Sequence, residues 1–219
     1  MLPLAVMYGI LVFGDSIVYA LGDPRGGWVG RLREMMASQD KYHCVHALGI
    51  PGDTAQTLAA RMDSECRARI IRRWKKDRFV IIVQVGGNDT AAHTKDGAAH
   101  TPPADFTSHI SRILSIAHAH TPEVFCIGMV PVDEGRSRPY ETAYFSNKTM
   151  KDYEHLLQSV CAEQHVPFLD LFDSLQEASW PAQLIDGLHP AAQGHDRIFT
   201  KAVEFLRAHH VITPSKMEH

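Results

Sequence analysis

Apolar residues in this chain follow two periodicities in turn, and the alternation predicts strands separated by helices. Short continuous runs of β-branched and aliphatic residues are typical of strands buried on both faces. The chain contains five such runs, at residues 10–13, 44–48, 79–85, 124–130 and 166–171. Between them, apolar residues recur at helical spacing, in segments that begin near Trp28, Phe106, Tyr153 and Ile198.

This order of elements predicts an α/β fold. Strands that alternate with helices form right-handed βαβ units, which build a mostly parallel sheet covered by helices on both sides. With 219 residues, 45% of them hydrophobic, the chain can bury one sizeable core. We therefore expect residues 1–219 to form a single domain.

The charge pattern argues against binding to nucleic acid. The net charge is −3, which leaves no basic surface to neutralise a phosphate backbone. The one Lys/Arg cluster, at residues 67–78, is interleaved with Ile70, Ile71 and Trp74. That pattern predicts the solvated face of a helix.

Polar and Gly-rich clusters follow the first three predicted strands, at residues 14–16, 49–54 and 86–89. Ligands of parallel sheets bind beyond the carboxyl ends of the strands, so these clusters are expected to meet at one rim. Two long connections, at residues 90–104 and 131–142, are candidate pocket walls or lids.

Ser16, His189 and Asp186 supply a nucleophile, a base and an orienting carboxylate. A serine hydroxyl is a weak nucleophile until a base takes its proton, and an imidazole suits that task at neutral pH. Asp186 precedes His189 by three residues with Gly187 between them, a spacing at which a turn brings a carboxylate to the ring. Read alone, the segment also fits a turn before a helix, capped by Asp186. Ser16 lies 173 positions before His189, so the fold must bring them together.

Four sequence blocks resemble those of the SGNH hydrolases, also called GDSL esterases and lipases. They read GDS at 14–16, GIPGDT at 49–54, GGND at 86–89 and DGLHP at 186–190, in the family's order. The first block continues as GDSI, where the family name has GDSL. The resemblance implies a flavodoxin-like three-layer α/β/α fold, with a five-stranded sheet, that hydrolyses esters or thioesters without a metal or organic cofactor.

Acyl transfer also needs donors for the negative charge that develops on the carbonyl oxygen. The backbone amides of Ser16 and Gly52 and the side-chain amide of Asn88 are the candidates, and the resemblance assigns Gly52 and Asn88 to this oxyanion hole. Read in isolation, either residue could simply form a turn. Asp15 and Asp89 are interpreted as structural residues that bind nearby backbone amides.

The predicted function is therefore a serine esterase acting on a small-molecule ester, of lysophospholipase, thioesterase or arylesterase type. The same site could serve a carbohydrate O-acetylesterase or an acyltransferase, which sugar acetates and added alcohol acceptors would distinguish. A non-catalytic binding domain is the alternative from another class, and ligand binding without turnover would identify it. The chain has no G-x-S-x-G elbow and no nucleotide-binding glycine loop of the GxxxxGK[ST] or GxGxxG type.

Cysteine usage and the apolar start predict a cytoplasmic protein. Cys44, Cys66, Cys126 and Cys161 have no close pairs and are interpreted as small buried hydrophobes in a reducing compartment. Residues 2–13 are apolar but lack a basic leader, and cleavage after them would remove the strand before Ser16. No run is long enough to span a membrane. The paired histidines at 118 and 120 and at 209 and 210 lack the context of a metal site, so no metal is expected.

Overall fold

Five parallel strands form one sheet at the centre of the fold. The computed structural model describes residues 7–71, 76–137 and 142–212. The strands are β1 (Tyr8–Gly14), β2 (Cys44–Gly49), β3 (Arg78–Gln84), β4 (Glu123–Ile127) and β5 (Phe168–Leu169), in the order β2-β1-β3-β4-β5. All neighbouring strands are parallel. Each predicted run overlaps one strand, although β5 is short because Pro167 cannot donate to the ladder.

In the described ranges, seven α-helices connect and cover the strands. They are α1 (Ser16–Tyr19), α2 (Gly27–Gln39), α3 (Ala55–Arg69), α4 (Pro103–His120), α5 (Asn147–Glu163), α6 (Phe172–Leu175) and α7 (Ala192–Ala208). The four helices predicted from periodicity are α2, α4, α5 and α7. Within the described ranges, no helix combines the length and the apolar character that crossing a membrane requires.

The sheet is packed on both faces, which confirms the three-layer architecture. Successive side chains of a strand point to opposite faces. Ile10 and Val12 of β1 join a buried cluster with α2 and α7, whereas Leu11 and Phe13 join a second cluster with α3, α4 and α5. β1, which lies between β2 and β3 in the sheet, is therefore buried on both faces.

The basic cluster at residues 67–78 does not form one helical face. Helix α3 ends at Arg69, and Arg78 is the first residue of β3. The Arg78 guanidinium pairs with Glu123 at 2.5 Å and donates to the Tyr8 hydroxyl at 3.0 Å, so it links the starts of three strands. The helical prediction is wrong for Arg78, because alternating charged and apolar residues also fit the beginning of a strand. Trp74 lies outside the described residues.

Three of the four cysteines are buried as predicted. Cys66, Cys126 and Cys161 are core residues, and burial raises the pKa of the Cys66 thiol to about 12. Cys44 is exposed, contrary to the prediction, because it opens β2 at the edge of the sheet. All four are free thiols.

Glu154 is a buried carboxyl group on α5. Its Oε2 atom accepts a hydrogen bond from the Met129 amide at 2.8 Å, and its Oε1 atom has no hydrogen-bond partner in the described parts of the chain. Burial raises the pKa of Glu154 to about 8. The folded protein therefore retains a proton that the unfolded chain releases at lower pH.

Replacing Glu154 with Gln should remove a pH-dependent loss of stability. Because the pKa of this carboxyl group is higher in the folded state, wild-type stability falls between its ordinary pKa of 4.5 and about 8. The slope reaches about 1.4 kcal/mol per pH unit. We expect the melting temperature of Glu154→Gln, relative to wild type, to rise from pH 5 to pH 8 and then level off.

Thermal unfolding at several pH values checks this prediction. Glu163→Gln, at an exposed position of the same helix, is the matched control and should follow wild type throughout. A difference in melting temperature between Glu154→Gln and wild type that stays constant across the pH range would contradict the raised pKa of Glu154.

Candidate active site

The polar clusters after β1, β2 and β3 meet at the carboxyl edge of the sheet. Ser16, Gly52 and Asn88 follow these three strands, and all three line one cavity together with His189. The sequence blocks thus share one rim, as expected for parallel strands with a common direction.

A sharp turn after β1 presents Ser16. Any Cβ atom at Gly14 would overlap the carbonyl oxygen of Gln84, so the close approach of β1 and β3 requires glycine here. Asp15 then caps α1 by accepting the amide hydrogen of Ile17 at 2.9 Å. Ser16 is the first residue of this short helix and is 8% exposed.

A chain of hydrogen bonds links Ser16 to His189 and Asp186. The Ser16 Oγ atom lies 3.0 Å from His189 Nε2, and His189 Nδ1 lies 2.7 Å from Asp186 Oδ2. A carboxylate can only accept here, so Nδ1 carries the proton and Nε2 is left to accept from the serine hydroxyl. His189 is 3% exposed, which keeps this pairing away from bulk water.

A tight turn fixes the Asp186 carboxylate. Its Oδ1 atom accepts the backbone amides of Leu188 at 2.9 Å and of His189 at 2.7 Å. Gly187 adopts a φ of +87°, and a Cβ atom there would lie 2.8 Å from the Ser137 nitrogen. Partial burial alone would raise the pKa of Asp186, but the hydrogen bonds from His189 and Leu188 outweigh it and hold the pKa below its ordinary value. Asp186 is therefore ionised at neutral pH.

The three candidate oxyanion donors, the amides of Ser16, Gly52 and Asn88, belong to residues that line one cavity. The described residues offer no acceptor to the backbone amides of Ser16 and Gly52. Gly52 has a φ of +85° and open space where a Cβ would stand. The Asn88 amide donates one hydrogen to the Asp53 carbonyl oxygen at 2.9 Å, which orients the group and leaves its second hydrogen available.

Arg61, on α3, connects the loops that carry these donors. Its guanidinium donates to the carbonyl oxygens of Gly14 at 3.2 Å and Leu48 at 2.8 Å, at the ends of β1 and β2. It also donates to the Asp53 carboxylate at 2.8 Å, next to Gly52. Sequence reasoning missed this residue, because an arginine within a charged helix carries no local sign of such contacts.

Asp15 and Asp89 bind backbone and side-chain donors, which confirms their structural interpretation. Asp89 accepts the Ala55 amide at 2.9 Å and the Thr101 hydroxyl at 2.8 Å, and thereby ties β3 to the start of α3. Burial, together with the nearby Asp89 carboxylate, raises the pKa of Asp15 to about 7.

The two long connections contribute to the cavity wall. Ala91, from residues 90–104, and Thr142, at the end of residues 131–142, both line the cavity that holds Ser16 and His189. The prediction of pocket walls is confirmed for these positions. Residues 138–141 lie outside the described chain.

The sequence profile of the GDSL-like Lipase/Acylhydrolase family matches residues 12–197. The chain belongs to this family. Its members are carboxylic ester hydrolases, the enzyme class that the four sequence blocks predict. Two curated GDSL esterase/lipase relatives are similar to this chain. CPRD49 from Arabidopsis thaliana is 28% identical, over 84% of this chain and 73% of that protein. WDL1 from Oryza sativa subsp. japonica is 26% identical, over 90% of this chain and 76% of that protein.

Solved structures share the fold of this GDSL family member. A lipase/acylhydrolase from Enterococcus faecalis superposes with a TM-score of 0.71 at 21% identity, covering 93% of this chain and 97% of that one. The structure of TesA superposes with a TM-score of 0.68 at 22% identity, covering 91% of this chain and 98% of that one. Axe2, an acetylxylan esterase from Geobacillus stearothermophilus, superposes with a TM-score of 0.68 at 15% identity, covering 90% of this chain and 93% of that one. These matches confirm the SGNH hydrolase fold.

No metal-binding cluster occurs in the described ranges: no three His, Cys, Asp or Glu side chains there are grouped as ligands. The histidines at positions 118 and 120, on α4, and at positions 209 and 210, after α7, belong to no such group there.

Proposed function

We propose that this GDSL enzyme hydrolyses carboxylic esters or thioesters through an acyl-enzyme on Ser16. The observation that carries the proposal is the hydrogen-bonded chain from Asp186 through His189 to Ser16, which ends in a cavity also lined by Gly52 and Asn88. A nucleophile, a base and oxyanion donors in one cavity are the parts that acyl transfer requires.

In the acylation step, Ser16 Oγ attacks the acyl carbon and its proton passes to His189 Nε2. The carbonyl oxygen becomes negatively charged and is held by the amides of Ser16, Gly52 and Asn88. When the tetrahedral intermediate collapses, the bond to the leaving oxygen or sulfur breaks and Nε2 returns the proton to that atom. Asp186 stabilises the imidazolium that forms in between.

Deacylation repeats these steps with water. His189 Nε2 takes a proton from the water, whose oxygen attacks the acyl carbon, and the bond between that carbon and Ser16 Oγ breaks. The proton then returns to Oγ, which releases the acid and restores the enzyme. This chemistry needs no metal or organic cofactor.

Replacing Asn88 with Ala should slow the reaction by about 10²–10³-fold in kcat, the usual effect of losing one oxyanion donor. The KM should change little, because the donor acts mainly on charge that exists only in the transition state. Steady-state kinetics on a p-nitrophenyl ester measures both constants. A rise in KM at unchanged kcat would show that Asn88 binds the substrate and not the oxyanion.

Covalent labelling tests the proposal directly. In diisopropyl fluorophosphate the P–F bond breaks as Ser16 Oγ bonds to phosphorus, so inactivation and one added diisopropylphosphoryl group should proceed together. Peptide mapping should place the group on Ser16, and His189→Ala should label much more slowly. Label on another residue, or full inactivation without label on Ser16, would contradict the proposed nucleophile.

We also propose that the enzyme works in the cytoplasm. The apolar segment at residues 2–13 overlaps β1, the strand between β2 and β3 that leads into Ser16, so its removal as a signal would destroy the site. The four free thiols fit a reducing compartment. Fractionation of cells that produce the untagged chain tests this, and recovery in the secreted fraction would contradict it.

A further inference from the structure

Two cavities of unequal size meet at Ser16. The first, the narrow cavity, has a volume of about 30 Å³ and is lined by Ile17, Val85, Met129, Val130 and Met150, among others. The second, the wide cavity, has a volume of about 370 Å³ and is lined by Leu21, Pro51, Gly52, Thr142 and His189, among others. Ser16, Asn88, Phe145 and Leu188 border both.

The position of His189 decides which part of an ester occupies each cavity. The base must return its proton to the leaving oxygen, so the alcohol has to lie on the side of the imidazole. His189 lines the wide cavity and is absent from the lining of the narrow one. The alcohol therefore belongs in the wide cavity, and the acyl chain has the narrow cavity left to fill.

The size of the narrow cavity limits the acyl chain. On the same scale the narrow cavity has less than a tenth of the volume of the wide cavity, about 30 Å³ against about 370 Å³, which leaves room for only a few heavy atoms. Met129 and Met150 are 4% and 2% exposed and pack in the core, so the wall cannot yield without disturbing that core. An acetyl or propionyl group fits this space, and a long alkyl chain does not.

The lining also specifies an uncharged acyl group. Both ends of the Gln84 amide are already paired: Oε1 accepts the Trp28 indole N–H at 2.9 Å, and Nε2 donates to the Gly128 carbonyl oxygen at 3.3 Å. The ionisable side chain in the lining is the Asp15 carboxyl group, which offers no positive charge to an anionic acyl group, and no Lys or Arg side chain lines the cavity within the described chain. The cavity offers an acyl group little besides apolar contact.

The wide cavity suits a bulky alcohol with an apolar surface. Leu21, Pro51, Ala143 and Phe145 contribute apolar wall. Its volume lies within the range of cavities that bind drug-sized ligands, about 300–1,000 Å³. The wide cavity can therefore bind an alcohol much larger than the acyl group.

We propose that the substrates are short-chain acyl esters, acetyl or propionyl, of bulky alcohols that present an apolar surface. This inference rests on the proposed function and deepens it, since it adds the substrate class to the mechanism on Ser16. Met129 and Met150 are then the residues that determine acyl-chain length.

The acyl-chain profile tests the inference. The kcat/KM of the wild-type enzyme is measured on p-nitrophenyl acetate, propionate, butyrate and octanoate, which share one leaving group. We expect acetate or propionate to exceed octanoate by at least about tenfold, because a single extra methylene in an apolar pocket already changes kcat/KM by about tenfold or more. An octanoate value equal to or above that of acetate would overturn the inference.

Enlarging the narrow cavity should move this optimum. Met150→Ala removes the side chain beyond Cβ, and we expect the preferred acyl chain to lengthen by about two carbons or more, because acyl methylenes can bury their apolar surface in the space that the side chain leaves. Met150→Val provides a smaller enlargement in case the Ala variant does not fold. Met62→Ala, also a fully buried methionine but on α3, is the matched control and should keep the wild-type profile. An unchanged profile in both folded Met150 variants would overturn the role of this residue.

A variant at Leu21 tests the assignment of the wide cavity. Leu21→Ala should alter the preference among acetate esters of different alcohols and leave the acyl-chain profile as in wild type. A change in the acyl-chain profile instead would show that the two cavities have been assigned the wrong way round.

The same assays separate this inference from the proposed function. Every ester is also tested with Ser16→Ala. Hydrolysis that persists in that variant, or no hydrolysis of any ester by wild type, overturns the mechanism itself. Hydrolysis that depends on Ser16 but favours octanoate overturns the short-acyl assignment alone.

Discussion

Replacing Ser16 with Ala should lower kcat by at least about 10⁴-fold, since loss of a catalytic serine costs about 10⁶-fold in a comparable triad. The hydroxyl is the atom that bonds to the acyl carbon, and Ala offers no substitute. The fold should persist, because the group removed is small and makes one hydrogen bond, to His189. Losing that bond costs about 1 kcal/mol of stability.

The measurement is hydrolysis of p-nitrophenyl acetate by both proteins, with circular dichroism and thermal unfolding to confirm that both are folded. Ser174→Ala is the matched control, since Ser174, on α6, donates to the Leu171 carbonyl oxygen at 3.2 Å and is not among the described residues that line either cavity at Ser16. Its kcat should equal that of wild type. Turnover by Ser16→Ala at even a tenth of the wild-type rate would mean that another group is the nucleophile.

Replacing Asp186 with Asn should lower kcat at neutral pH by about 10⁴-fold, the loss seen when an orienting carboxylate becomes an amide. The Asn oxygen can take over from Oδ1, which accepts the amides of Leu188 and His189. Its NH₂ group then faces His189 Nδ1, where Oδ2 stood, and a donor there favours the tautomer with its proton on Nε2. That nitrogen can no longer accept the Ser16 proton.

Kinetics at neutral pH with Asp186→Asn tests this argument, and the unchanged volume of the side chain keeps the turn intact. Asp173→Asn, at an exposed site on α6, is the control and should retain wild-type kcat. A loss of less than tenfold in Asp186→Asn would show that the carboxylate does not set the tautomer of His189.

The parts of the fold and site that the sequence predicted are those with local signals. Buried parallel strands are continuous apolar runs, and α2, α4, α5 and α7 show amphipathic spacing. The turn at residues 186–189 could be inferred because Gly187 permits the positive φ that brings Asp186 to His189. These features depend on residues that are close together in the sequence, so a single sequence is enough to predict them.

The parts that were missed depend on contacts between distant segments. Arg61 binds carbonyl oxygens at the ends of two strands, and Glu154 reaches the amide of Met129. The volumes of the two cavities depend on side chains from several elements that meet only in the folded chain. Helix α3 was largely missed because its apolar residues are small and sparse. The assignment of residues 1–219 to one domain stays a prediction, which the two hydrophobic clusters on a shared sheet favour.

The hydrogen bond between Ser16 and His189 joins the first strand of the sheet to the loop before the last helix. A growing polypeptide therefore lacks the pair of Ser16 and His189 until the segment that carries His189 has left the ribosome and folded. A break in the exposed loop at residues 93–96 would leave Ser16 on one fragment and Asp186 and His189 on the other. Ester hydrolysis by a mixture of such fragments would report their reassembly, which makes the enzyme a natural indicator of its own complete folding.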